Sequence, residues 1–160
     1  KGVNQKPFQG KIKYDYIMWI DSDMVFEPEE FKALLDMNRD VASGIYKTKN
    51  GNNYATVLKM EKEFYKENGH YEFLNDNILK ILPDEFRVDY TGFGWILFKK
   101  GVLEKIEYPW FKPYWYNYGK NIKEFTSEDV GICRSLREVG VNIIVNKNLV
   151  IGHEKSCILK

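Results

Sequence analysis

Scarcity narrows the field first. The 160 residues include only two cysteines, Cys133 and Cys157, and two histidines, His70 and His153. Two cysteines make neither a disulfide framework nor a metal ligand set, which points to a reducing, cytoplasmic setting. No apolar run nears the roughly 18 residues of a membrane span, and the opening Lys1-Gly2-Val3-Asn4-Gln5-Lys6 has no signal-peptide pattern, so no span is expected. Neither sign of charge dominates: 24 Lys+Arg stand against 23 Asp+Glu, a formal net charge of +1. That balance excludes a polyanion-binding surface spread over the whole protein. No basic stripe runs among the aromatics either, so no nucleic-acid partner is expected. Repeats and low-complexity segments are also absent. With 44% hydrophobic residues the chain is not disordered, and its length suits one domain over 1–160.

What is present has an α/β rhythm. The first fifteen residues read as an arm or loop. Tyr16-Ile17-Met18-Trp19-Ile20 is apolar on both faces, the pattern of a central strand in a covered sheet, and it ends in Asp21-Ser22-Asp23. Pro28-Glu29-Glu30 open a helix to about Met37, with Phe31, Leu34 and Leu35 on its buried face. Val41–Tyr46 is the next strand, completing a strand–helix–strand unit over 16–49. In 50–85 the segments Tyr54–Met60, His70–Leu74 and Ile78–Leu82 read as a small antiparallel excursion. The remainder, 86–160, begins with a strand at Arg87–Thr91, a Gly92-Phe93-Gly94 turn, a second apolar strand at Trp95–Phe98 and a short helix at Lys100–Ile106. An aromatic loop over Pro109–Gly119 precedes a helix with Thr126 as its cap, Asp129 as capping-box partner, and Val130, Cys133, Leu136 and Val139 at helical spacing before Gly140. Val141–Val145 and Leu149–Ile151 close as strands. Cys133 falls on the apolar helix face and is expected in the core.

Chemistry concentrates in a few places. Asp21 and Asp23, two apart at a strand end, are expected to point to one side, where two carboxylates repel unless a cation such as Mg²⁺ or Mn²⁺ lies between them. Ligands of α/β sheets bind outside the carboxyl ends of strands, where this pair sits. The same residues would also serve as a helix-capping turn. Glu128 and Asp129 complement a helix start, and a carboxylate there can also accept a proton from a substrate hydroxyl. His153 follows the last strand, where an imidazole can ligate a metal or touch a phosphate. Gly92 and Gly94 allow close approach of backbone to a ligand or simply a tight turn, and the missing third glycine excludes a dinucleotide fingerprint. Residues 108–118 are crowded with aromatics and hold two prolines, which suits stacking on a sugar face or burial at a contact.

Taken in order, Tyr16-Ile17-Met18-Trp19-Ile20-Asp21-Ser22-Asp23-Met24, Gly92-Phe93-Gly94, Thr126-Ser127-Glu128-Asp129 with Arg134, and Gly152-His153 resemble the metal-dependent glycosyltransferases of the GT-A fold, family-2-like members above all. The resemblance implies a Rossmann-related mixed sheet flanked by helices. It also implies a nucleotide-diphosphate sugar as donor and an acceptor hydroxyl, from a glycan or other molecule, over 108–118. Carried over, Asp23 is the main ligand of Mn²⁺ or Mg²⁺, Asp21 reaches the ribose or the metal, and His153 completes the site. Gly92, Gly94 and Trp95 flank the donor sugar. Asp129, with Glu128 beside it, is the base of a single inverting displacement. A complete GT-A domain has βα units before its metal strand, each needing about 30 residues, and fifteen residues precede Tyr16 here, so the nucleotide-binding half is expected to be incomplete.

Two rivals share parts of this pattern. Haloacid-dehalogenase-type phosphohydrolases also open on an apolar strand ending in Asp-x-Asp. Asp21 would then be the nucleophile, with Thr91 and Lys99 or Lys100 in the supporting roles. Against that assignment, Glu128-Asp129 opens a helix with no apolar strand leading into it. A non-catalytic sugar-binding module would use the aromatic stretch and leave Asp21 and Asp23 idle.

Overall fold

The structure is a computed structural model and describes residues 6–119 and 121–155, so Cys157 and the first residues of the arm lie outside the described residues. Within the arm, Pro7–Gly10 form an irregular turn in which Phe8 and Gln9 take left-handed φ values of 53° and 57°. Aromatic and β-branched side chains extend the backbone over Tyr16–Ile20 (β1), and a turn at Asp21–Asp23 leads to Met24–Val25 (β2). Helix Pro28–Asp36 (α1) starts with a reciprocal capping box in which the Glu27 N–H donates to the Glu30 carboxylate at 2.8 Å. Val41–Ile45 (β3) follows.

Residues 50–85 depart from expectation. They hold one two-residue strand, Thr56–Val57 (β4), antiparallel to Tyr90–Thr91, and two short helices, Lys62–Asn68 (α2) and Asp76–Ile81 (α3), so only a remnant of the expected antiparallel excursion forms. Asn75 decides α3: its side chain accepts from the Asn77 and Ile78 N–H groups at 3.0 and 3.1 Å and nucleates a turn. Gly69 closes α2 at φ 73°, a left-handed position that disfavours any side chain.

The expected strand at 87–91 divides at Asp89 into Glu85–Val88 (β5) and Tyr90–Thr91 (β6), and Trp95–Lys99 (β7) follows the glycine turn. The helix expected after it is only a 3-10 turn, Leu103–Lys105. Half of the aromatic loop is in fact a hairpin of Trp115–Gly119 (β8) and Ile122–Phe125 (β9). Helix Glu128–Glu138 (α4) is capped by Ser127, whose Oγ accepts from the Val130 N–H, and not by Thr126, whose hydroxyl donates to the Tyr114 carbonyl at 3.0 Å. The two closing strands are one, Ile143–Val150 (β10), with a register shift after Val145, and Gly152–His153 (β11) ends the described topology.

Five strands make a mixed sheet in the order β1-β7-β3-β10-β5. β3 and β10 pair in parallel, while β7 is antiparallel to both β1 and β3, and β5 is antiparallel to β10. β1, β3 and β10 therefore share one direction. Strand alternation sends Val41, Ile45, Ile96, Phe98, Ile143 and Val145 to one face, where Ile132, Cys133 and Leu136 of α4 cover them. Ala42, Tyr46, Trp95 and Leu97 go to the other face, under Leu34 and Met37 from the α1 region. Cys133 is core, as its helical spacing indicates, and burial pushes its thiol up to about 12.

β1 is the main correction. It lies at the sheet edge among the described residues, with Trp19 and Ile20 each 44% exposed. An unbroken apolar run marks a strand but does not say how many neighbours it has. Here part of its apolar surface is met by another element, Phe111, whose ring lies 4.6 Å from that of Trp19.

Candidate functional site

The topology brings the expected residues to one edge. The carboxyl ends of β1, β3 and β10 and the amino end of the opposed β7 all lie there. Asp21–Asp23, Tyr46–Lys47, the Gly92–Gly94 turn and His153 are thereby gathered, as expected for the ligand edge of an α/β sheet. A small clasp fixes the acidic turn: β2 pairs with β11, setting His153 opposite Met24, and the Glu154 N–H donates to the Asp23 carbonyl at 2.9 Å.

Asp23 and His153 meet. His153 Nδ1 lies 2.7 Å from the Lys47 carbonyl, which can only accept, so Nδ1 carries a proton and Nε2 faces Asp23 Oδ2 at 3.3 Å. Nε2 is thereby turned toward a carboxylate oxygen. The same Oδ2 also accepts from the Lys155 ammonium at 2.5 Å. That bond, with help from the charges of Lys155 and His153, holds the Asp23 carboxyl below the usual carboxylate range despite some desolvation.

No hydrogen bond or ion pair among the described residues ties the Asp21 carboxylate to this pair. Residues two apart share a side only while the chain stays extended, but β1 ends at Ile20 and the chain turns, with the Met24 N–H donating to the Asp21 carbonyl at 3.2 Å. The Asp21 N–H is tied to the Gly94 carbonyl at 2.9 Å and its side chain is exposed. Among the described residues no three His, Cys, Asp or Glu side chains are set as a cation cage.

Asp129 occupies the other part of the site, in the first turn of α4. Its carboxyl is pushed up to about 6, first by burial, then by the neighbouring Glu128 charge and more weakly by Asp21, against one backbone N–H from Phe93. Tyr46 stands between the acidic groups. Burial drives its hydroxyl above the phenol range, and Asp129, Asp21 and Asp23 all add to the rise. Its oxygen accepts the Gly94 N–H at 3.0 Å.

The glycine turn is shaped by that tyrosine. A Cβ on Gly92 would sit 2.1 Å from the Tyr46 hydroxyl, and one on Gly94 would sit 2.5 Å from the Met24 methyl. The space a ligand was expected to take at these Cα positions is therefore filled from within the protein. Trp95 offers no surface to a donor sugar either: it is 0% exposed on the α1 face of the sheet, 5.8 Å from the Phe26 ring. The aromatic stretch 108–118 also divides. Trp110 and Phe111 pack on the core and Tyr118 is buried, whereas Tyr108 and Trp115 are 58% and 69% exposed.

Lys99 and Lys100 lie at the far end of β7. Lys99 pairs with Tyr16 at the start of β1, while Ile20 beside Asp21 pairs with Trp95. They do not form one site with Asp21. Sequence reasoning missed Tyr46, Lys47, Lys155 and the Phe93 N–H. Only Lys155 had a signal, its closeness to His153 in the chain.

No protein-family model and no curated protein matches the chain. Among solved structures, the crystal structure of A197 from STIV is similar, with a TM-score of 0.55 at 21% sequence identity. The match covers 89% of this chain and 59% of A197, so the chain spans well under two thirds of that protein's length. At such identity the likeness is one of fold.

Proposed function

We propose that this chain carries the metal and acceptor side of a GT-A-like glycosyltransferase, which moves a sugar from a nucleotide-diphosphate donor to an acceptor hydroxyl with inversion. The observation that carries the reading is the meeting of Asp23 and His153, from distant parts of the chain, on the sheet edge where Asp129 begins α4. A divalent ion suits the pair on donor chemistry. Mg²⁺ and Mn²⁺ that arrive with substrate phosphates need only one or two protein carboxylates, and Mn²⁺ also accepts an imidazole nitrogen. Asp23 and His153 Nε2 would hold it. When bound, such an ion neutralises charge on a departing diphosphate.

The protein's own groups have separable tasks. The Lys47 carbonyl fixes the imidazole tautomer and aims Nε2 outward. Lys155 keeps Asp23 ionised. Asp129, more basic than an ordinary carboxylate yet ionised at neutral pH, accepts the proton of the acceptor hydroxyl. A base on the face opposite the leaving group gives inversion. Gly94 holds the Tyr46 hydroxyl oxygen as an acceptor, which leaves the phenolic proton free to donate.

Calorimetry with Mn²⁺ and a nucleoside diphosphate tests the metal role. Binding is expected to require Mn²⁺ and to be lost in Asp23→Asn. Affinity unchanged by the substitution refutes the role, and a sugar-binding module in which metal is irrelevant then becomes the better account.

A further inference from the structure

One of the cavities that the mechanism above does not use lies beside α4. A pocket of about 300 Å³ is walled by Tyr65, Tyr71, Phe73, Tyr90 and Tyr118. Ser127 and Val130 also line it, so it opens against the first turn of α4, with Asp129 between them in the chain.

Three features define what the pocket would take. The first is its surface, dominated by aromatic faces that suit the C–H face of a ring. The second is a matched donor and acceptor. Arg134 is 5% exposed, and its guanidinium lies 3.6 Å over the Tyr116 ring. It donates to the Tyr71 hydroxyl at 2.6 Å and to that of Tyr118 at 3.5 Å, while its Nε has no partner among the described residues. The Tyr71 and Tyr118 hydroxyls are 2.7 Å apart, so one donates to the other. One phenolic proton of the two is left over, and it belongs to a chain polarised by a buried guanidinium, which strengthens it as a donor. Glu124, which also lines the pocket, supplies the acceptor. The third feature is charge and size. Arg134 is engaged behind the tyrosines and Glu124 faces the cavity, so an anion finds repulsion there. The volume stands at the foot of the range of roughly 300–1,000 Å³ for small-molecule sites, enough for one ring and too small for a nucleotide.

We propose that this pocket seats one neutral sugar ring, the terminal unit of the acceptor, beside the first turn of α4. The acceptor role rests on the transferase reading given above, whereas the sugar seat itself does not. The seat shifts the acceptor from the 108–118 surface, of which Tyr118 alone lines the cavity.

Saturation-transfer NMR on the whole chain tests it, with the methyl glycosides of glucose, galactose and mannose as probes and glucose 6-phosphate as the charged comparison. A parallel arm titrates uridine and guanosine diphosphates with Mn²⁺. At least one methyl glycoside is expected to receive saturation and to shift the Tyr65 and His70 ring resonances. Its affinity should fall by about tenfold or more in Tyr65→Leu and in the near-isosteric Glu124→Gln, the scale of losing a stacking or hydrogen-bonding partner. Lys32→Gln, on the exposed side of α1, should leave it unchanged. The seat is overturned if no glycoside binds at millimolar concentration, if the shifts fall on Trp115 instead, or if glucose 6-phosphate binds more tightly. Glycoside binding without Mn²⁺-dependent nucleotide binding upholds the seat and removes the transferase reading. Nucleotide binding without glycoside binding does the reverse.

Discussion

Asp23 and Asp129 are the same side chain in two regions of one sheet edge, and the protein drives them in opposite directions. Asp23 sits on an open turn, bonded to the Lys155 ammonium and beside His153, and its carboxyl is held down. Asp129 sits half-buried at the start of α4 with Glu128 as a like-charged neighbour, and its carboxyl is pushed up to about 6. Cationic partners make the first a persistent anion, suited to holding a positive charge. Burial and repulsion make the second a proton acceptor near neutral pH. Two carboxylates separated in this way mark a division of labour that neither reveals alone.

The most severe way to break the contrast is Asp129→Asn. It should lower turnover by on the order of 10²–10⁴, the usual scale for losing a general base, while calorimetry shows nucleoside-diphosphate binding intact. Nucleotide release from a nucleotide sugar checks the rate, and a surviving rate would assign the base elsewhere. In the unaltered protein the rate should climb as pH passes about 6, where Asp129 ionises.

A smaller effect concerns stability. The folded Asp129 carboxyl ionises less readily than the unfolded one, at about 6 against 3.8, so its contribution to stability is fully present below 3.8 and is lost as pH rises through about 6. Asp129→Asn should therefore be the more stable protein at pH 7, by about 1–2 kcal/mol after allowance for solvent screening, and should lose that advantage in acid. Urea unfolding at the two pH values measures it, and a gain that persists in acid would place the cause elsewhere.

The least effect is expected at Asp23. Lys155→Met removes its strongest cationic partner, and carboxyl ¹³C titration should show Asp23 protonating at higher pH than before, while Asp129 does not move. Since the lowered carboxyl favours the folded state only above its titration range, the substitution narrows that advantage from the acid side. An unmoved Asp23 would mean that His153 alone sets its state.

Much of this contrast was legible in the sequence, because it rests on strand ends and a helix start. The apolar run before Asp21, the Pro28 helix, the Val41 strand and the Ser127–Asp129 helix start each carry strong local signals, and all four appear within a residue or two. The short segments of 50–85 were not legible. Ile78–Leu82 offers too few residues to separate periods of 2 and 3.6, and the Asn75 side chain decides for a helix. The edge position of β1 depends on sheet order, which no single segment encodes. The same holds for Tyr46, whose sequence neighbours say nothing of Gly92 and Gly94 closing over it.

The two-residue clasp of β2 with β11 joins positions 24–25 to 152–153. Closing so long a span is among the dearest contacts a chain of this size can make, and it contributes little until the sheet between is in place. The meeting of Asp23 with His153 therefore depends on a contact between distant parts of the chain. A polypeptide halted or clipped before Gly152 would retain the residues of all five sheet strands, yet it would present Asp23 without its imidazole.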